Sequence, residues 1–149
     1  MHEFEEGGKT RIKSNYTNYI YPNSFVTNII LKDESYLIVG ICMEVHKELG
    51  MGFKEVLYKD AIELEFEAKD IYYEREKKFE IEYKGIILPH NFYADFIVFN
   101  SIILEVKSCA FIGDSFVAQT INYLKASGLT LALIANFGEK SFTYKRIVF

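Results

Sequence analysis

Residues 94–108, ADFIVFNSIILEVKS, read as two hydrophobic strands joined by a short turn. Asp95 interrupts the first strand, and Glu105 and Lys107 interrupt the second. Aliphatic strands of this kind are normally buried, where a lone carboxylate costs several kcal/mol unless it is paired or ligates a metal. Glu105 and Lys107 lie two residues apart, so their side chains leave the same face of the strand. Whether Asp95 joins them depends on the turn. A two-residue turn at Asn100-Ser101 pairs Asp95 with Val106 and sends its carboxylate to the other face. A three-residue loop, Phe99 to Ser101, or a bulge pairs Asp95 with Glu105 and makes the three charges converge.

Convergent carboxylates repel unless a cation sits between them. Hard oxygen donors suit Mg²⁺ or Mn²⁺, and a lysine beside such an ion can hold a water and neutralise charge developing on a phosphate. The plain alternative is a Glu105–Lys107 surface pair on an edge strand, with Asp95 bonded to a nearby backbone amide. D…ExK is short enough to match by chance, and on spacing alone the two readings stand level.

Working outward, the chain is read as helix, helix, three strands, helix, two strands. A helix is expected from about Ser35, as N-cap, to Leu49, ended by Gly50 and Gly52. The stretch 53–70 is a second helix, with Val56 or Leu57, Ala61, Leu64 and Ala68 as its apolar stripe. KFEIEYK, residues 78–84, alternates as a half-buried strand does. Residues 114–127 form a helix that starts at Asp114 or Ser115 and stops at Gly128. Its apolar stripe is Val117, Ile121 and Leu124. LTLALIANF and SFTYKRIVF close the chain as strands. This order makes a mixed β-sheet flanked by helices, an α/β (α+β) fold. Residues 1–32, rich in Asn, Tyr, Lys and Gly, are read as an arm or extension with a short strand at FVTNIIL, and residues 33–149 as the folded domain.

The 149 residues are half hydrophobic and 26% charged, which excludes a disordered chain. Cys42 and Cys109 show neither a CxxC spacing nor a clustered framework, so they are expected to be buried thiols of a reducing, cytoplasmic protein. MHEFEEGGKTRIK lacks the basic start and apolar run of a signal peptide, and YLIVGICM is too short to cross a membrane. A net charge of −4 and a pI near 5.4 argue against holding duplex nucleic acid through a broad basic surface. They leave room for an enzyme whose site carries divalent cations.

Three further patterns bear on the charged stretch. GFKEVLY, 52–58, puts Glu55 and Tyr58 one turn apart on a helix, although Glu near a helix N-terminus is favourable through the dipole alone. QTINY, 119–123, puts Gln119 and Tyr123 on one face beside the apolar stripe, as an ordinary core boundary would. His46 closes the first helix in MEVHKELG, where a histidine is more often a C-terminal residue than a ligand.

Taken together, EVHKELGMGFKEVLY, YADFIVFNSIILEVKS and QTINYLKASGLTLALIANFG resemble the GxxExxY family of the PD-(D/E)XK nuclease superfamily. The resemblance runs from about Ser35 to the C-terminus. It implies a restriction-endonuclease-like α-β-β-β-α-β core. It implies that Asp95 and Glu105, with the Val106 carbonyl, ligate Mg²⁺ or Mn²⁺ and that Lys107 is the catalytic lysine. Glu55 matches the acidic residue of the first core helix, which in many members contributes to metal binding. Gln119 and Tyr123 look like the Gln-x-x-x-Tyr motif of recombination-associated exonucleases, and His46 is similar in order to their upstream histidine. Ala94 stands where the superfamily's eponymous proline would be, a permissive position.

The activity so implied is metal-dependent hydrolysis of phosphodiester bonds in nucleic acid, with DNA the first candidate. The rivals are a catalytically weak module that keeps the nuclease fold to bind or regulate, and a metal-dependent hydrolase of a smaller phosphoester. The weak basic clusters, REKK at 75–78 and KR at 145–146, support the first rival. The retained quartet of Glu55, Asp95, Glu105 and Lys107 favours an enzyme. No membrane partner is expected, and a homodimer is left open.

Overall fold

The computed structural model describes residues 29–149, together with the backbone of two short antiparallel strands, β1 (Glu3–Glu6) and β2 (Lys9–Ile12). Of the strand expected at FVTNIIL, residues 25–28 lie outside the described residues, and 29–31 lead into a helix without forming a strand.

That helix, α1 (Lys32–Leu49), begins one turn before the expected Ser35 cap. Ser35 lies inside it, and its Oγ donates back to the Lys32 carbonyl at 2.9 Å. A serine hydroxyl can satisfy a helix backbone from within as well as from its end, which is why the sequence misplaces the start. Asp33 and Glu34 in the first turn suit the positive end of the helix dipole. The buried face carries Ile38, Ile41, Cys42 and Val45. Gly50, at φ 70°, ends the helix with its N–H on the His46 carbonyl.

The second helix, α2 (Glu55–Ala68), presents a different stripe from the one expected. Tyr58, Ile62 and Phe66 are fully buried, whereas Leu64 is 71% exposed and Val56 and Leu57 also face outward. The aromatic side chains bring more apolar area than Leu64 does, and they set the rotation of the helix. Each fully buried side chain of this size contributes about 1.5–3 kcal/mol.

Five strands follow in one sheet, ordered β3-β4-β5-β6-β7: β3 (Tyr73–Tyr83), β4 (Ile86–Val98), β5 (Ile102–Lys107), β6 (Leu131–Asn136) and β7 (Thr143–Val148). All neighbours are antiparallel except β5 and β6, which are parallel and joined through α3 (Asp114–Ser127). From α2 to β6 the order is α-β-β-β-α-β, as the resemblance implies. On one sheet face α1 and α2 pack over Phe96, Val98, Ile102, Leu104 and Val106. On the other, α3 places Leu124 against Ala94, Ile97, Ile103 and Ala132. The buried face of α3 is Thr120 and Leu124, with Val117 and Ile121 half-buried.

Among the described residues no helix is long and apolar enough to cross a membrane. Cys42 is buried and its thiol is pushed up to about 12 by that burial. Cys109, expected to be buried, is only half-buried.

Candidate metal and phosphodiester site

The turn between β4 and β5 takes the three-residue form. The register is Phe96↔Leu104, Ile97↔Ile103 and Val98↔Ile102, leaving Phe99, Asn100 and Ser101 in the loop. Phe99 and Asn100 both have positive φ, 56° and 55°, and the Ser101 N–H donates to the Val98 carbonyl at 3.0 Å. Phe99 is held there by its own N–H on the Tyr72 carbonyl and by packing against the core.

This register brings Asp95 opposite Glu105. The paired ladder ends at Phe96↔Leu104, and the Asp95 carboxylate takes over where a β4 carbonyl would be. The Val106 N–H donates to Asp95 Oδ2 at 2.8 Å, and the Asp95 N–H donates to Glu105 Oε1 at 3.4 Å. Glu105 is 4% exposed. Burial first, and then the Asp95 charge beside it, push the Glu105 carboxyl up to about 9, against the pull of the Asp95 N–H and the Lys107 ammonium.

Strand alternation turns Ile103, Glu105 and Lys107 toward α3, and two aromatic side chains of that helix meet them. Lys107 Nζ stands 4.5 Å from the Phe116 ring centroid. Tyr123 is half-buried and stacks on Phe92 of β4, centroids 4.1 Å apart and 2° from parallel. Burial, followed by the charges of Glu105 and Asp95, raises the Tyr123 hydroxyl above the ordinary tyrosine value. Gln119, one turn earlier on the same helix, is exposed.

From the opposite sheet face, α2 contributes a residue the sequence reading passed over. Lys59 Nζ lies 3.2 Å from Asp95 Oδ1 and also pairs with Glu76 of β3. Burial alone would lower this ammonium, but Glu76 and Asp95 outweigh it and hold its pKa above the ordinary lysine value. Asp95 is thus contacted from both sides of the sheet.

Glu55 opens α2 one turn before Lys59 and, with it, lines an open cleft of about 750 Å³ bounded by Gly52–Val56, Ser108–Ala110 and Gly138. The loop before α2 is shaped by Tyr58. Its ring is fully buried against Phe137, 4.5 Å away, while its hydroxyl donates to the Gly50 carbonyl at 2.6 Å and accepts from the Phe53 N–H at 3.2 Å. Gly52 supplies the φ of 103° that the loop requires. The spacing of Gly52, Glu55 and Tyr58 therefore has a local cause: the tyrosine ties down the loop from which the glutamate starts the helix.

The far wall of the cleft is fastened by Asn136, which is fully buried at the end of β6. Its Oδ1 accepts from the Cys109 and Gly138 N–H groups, and its Nδ2 donates to the Cys109 carbonyl and to Glu139. A Cβ on Gly138 would overlap the Cys109 backbone, so only glycine fits this crossing. Nothing in ANFG marks the asparagine from sequence.

His46 is turned toward the loop after β6. Its Nε2 donates to the Glu139 carbonyl at 2.9 Å and its ring packs with Phe137 and Phe142. Among the described residues no three His, Cys, Asp or Glu side chains come together as one metal cluster. Glu55 and His46 are therefore not gathered with the Asp95–Glu105 pair.

A family model described as the PD-(D/E)XK nuclease superfamily matches residues 32–147. The chain belongs to the PD-(D/E)XK nuclease superfamily. The five-stranded mixed sheet and three helices of the described residues have the restriction-endonuclease-like α+β arrangement of a PD-(D/E)XK domain. No curated protein and no solved structure matches the chain significantly. PD-(D/E)XK nucleases generally use divalent metal ions. The donor set is compatible with one: two neighbouring carboxyl groups, one of them nearly sealed from water, are eased by a proton or a cation between them.

Proposed function

We propose that the domain, residues 33–149 behind an N-terminal extension, is a nuclease that hydrolyses phosphodiester bonds of nucleic acid, DNA first, with Mg²⁺ or Mn²⁺. What supports this is the register that sets Asp95 opposite Glu105, with Lys107 two residues along the same strand face. Asp95, Glu105 and the Val106 carbonyl are the groups that would hold the ion. When bound, it supplies charge neutralisation at the phosphate and an acidified water.

The chain's own side chains do the rest. The Lys107 ammonium is long enough to swing off Phe116 onto a phosphate oxygen or the attacking water, and it stabilises charge that grows in the transition state. Tyr123, fixed by its stack on Phe92, borders the acids and positions substrate beside them. Gln119, exposed one turn before it, meets the substrate from the same helix. Glu55 faces the cleft and acts on the outer shell of water around the ion. His46 has a packing role.

The test is cleavage of labelled single- and double-stranded DNA and RNA with Mg²⁺ or Mn²⁺, by wild type, Asp95→Asn and Lys107→Ala. Asparagine keeps an oxygen for the Val106 N–H and so preserves the strand junction. Each variant is expected to lose at least about 10²-fold in rate. A wild type that cuts none of the substrates, or variants that cut equally well, would defeat the reading.

A further inference from the structure

Lys59 is the most enclosed of the ion-paired lysines in the described residues, with a side chain 13% exposed and contacts to carboxylates on two strands. Asp95 Oδ2 accepts the Val106 N–H, whereas Oδ1 accepts no backbone bond and is the oxygen that Lys59 meets. A divalent cation drawn to the Asp95 carboxylate would meet this ammonium as a like charge.

Glu76 gives the ammonium somewhere else to go. The pairs Arg75↔Phe96 and Lys77↔Ala94 place Glu76 across from Asp95, yet Glu76 has φ 52° inside a strand. Left-handed backbone at a residue other than glycine costs about 1–2 kcal/mol. Here it accompanies a carboxylate held on Lys59 Nζ. Glu76 is 48% exposed, so water as well as lysine can solvate it.

We infer that Lys59 is a resident counter-ion that competes with a divalent cation for Asp95 Oδ1, and that Glu76 retains the ammonium when Asp95 gives it up. This rests on the reading of Asp95 and Glu105 as the ion-holding pair. Lys59 is a positioning residue in this role. With the site free of metal it offsets the Asp95 charge and fixes the carboxylate. With metal present it slides to Glu76, so no bare ammonium is left enclosed. The exchange sets the metal affinity below what the carboxylates alone would give.

The experiment is calorimetric titration of the metal-stripped protein with Mn²⁺, with metal-induced thermal shift as a second readout. Removing a neighbouring positive charge in Lys59→Met is expected to lower Kd about tenfold. Lys59→Gln is the second variant should methionine disturb folding, as judged by circular dichroism. Glu76→Gln leaves Lys59 with Asp95 alone and is expected to raise Kd several-fold. Lys54→Met removes the same charge from the exposed rim of the same cleft and should change Kd less than about twofold. Mn²⁺ binding by Lys59→Met but not by wild type would support the inference in its strongest form. If wild type binds and Lys59→Met binds equally or more weakly, the inference falls and the ion-holding pair stands. If neither binds, both fall.

Discussion

Glu105 is the residue whose electrostatics carry the most conflict. In the metal-free protein its carboxyl keeps a proton over a pH range in which the unfolded chain has lost it, because burial and Asp95 oppose the charge. The folded state then binds more protons than the unfolded state, and stability falls as pH rises. The Glu105 contribution is complete below about 4.5 and declines progressively toward about 9. The slope is at most about 1.4 kcal/mol per pH unit for one proton. Urea denaturation in the presence of chelator should show this decline in wild type and lose it in Glu105→Gln. Equal slopes in the two proteins would mean that Glu105 is ionised in the fold. Asp95, Lys107 and Tyr123 face it and shape the curve, but the glutamine variant isolates its own share.

At the scale of the element, the loop before α2 is a small machine for placing one carboxylate. Tyr58 holds the Gly50 carbonyl and the Phe53 N–H with a single hydroxyl, while its ring remains on Phe137. Tyr58→Phe keeps the ring and strands both backbone groups. A loss of about 1–3 kcal/mol is expected, measured as a lower urea midpoint with an unchanged m-value. A neutral substitution would show that water replaces the hydroxyl. The β4–β5 loop shows where sequence stops being enough. VFNSI is compatible with two or three loop residues, and the choice rests on Phe99 packing into the core and bonding to Tyr72. Both contacts come from outside the hairpin. The charges at 95, 105 and 107 were legible from alternation, whereas their convergence was decided at a distance.

Across the whole molecule, the same limit explains what was missed. The element order and the two-faced sheet follow from apolar periodicity, so the layers were readable. The rotation of α2 was not, because aliphatic and aromatic positions offer competing stripes and Tyr58 and Phe66 prevail. Lys59 reads as a solvent-facing lysine in LYKD. Its partners are 17 and 36 residues further along, on separate strands. Asn136 and His46 likewise acquire their roles from Cys109 and Glu139, which only the fold brings near.

The Lys107–Phe116 contact has a further use, as an optical reporter. The chain contains no tryptophan. Phe116→Trp would place a solitary indole beneath the ammonium, excitable apart from the tyrosines and sensitive to a cation at its face. If Lys107 leaves the ring to meet a phosphate, adding a short oligonucleotide should shift the emission, and Lys107→Met in the same background should abolish the shift. An emission that ignores the oligonucleotide would mean that the lysine stays on its ring while the nucleic acid binds.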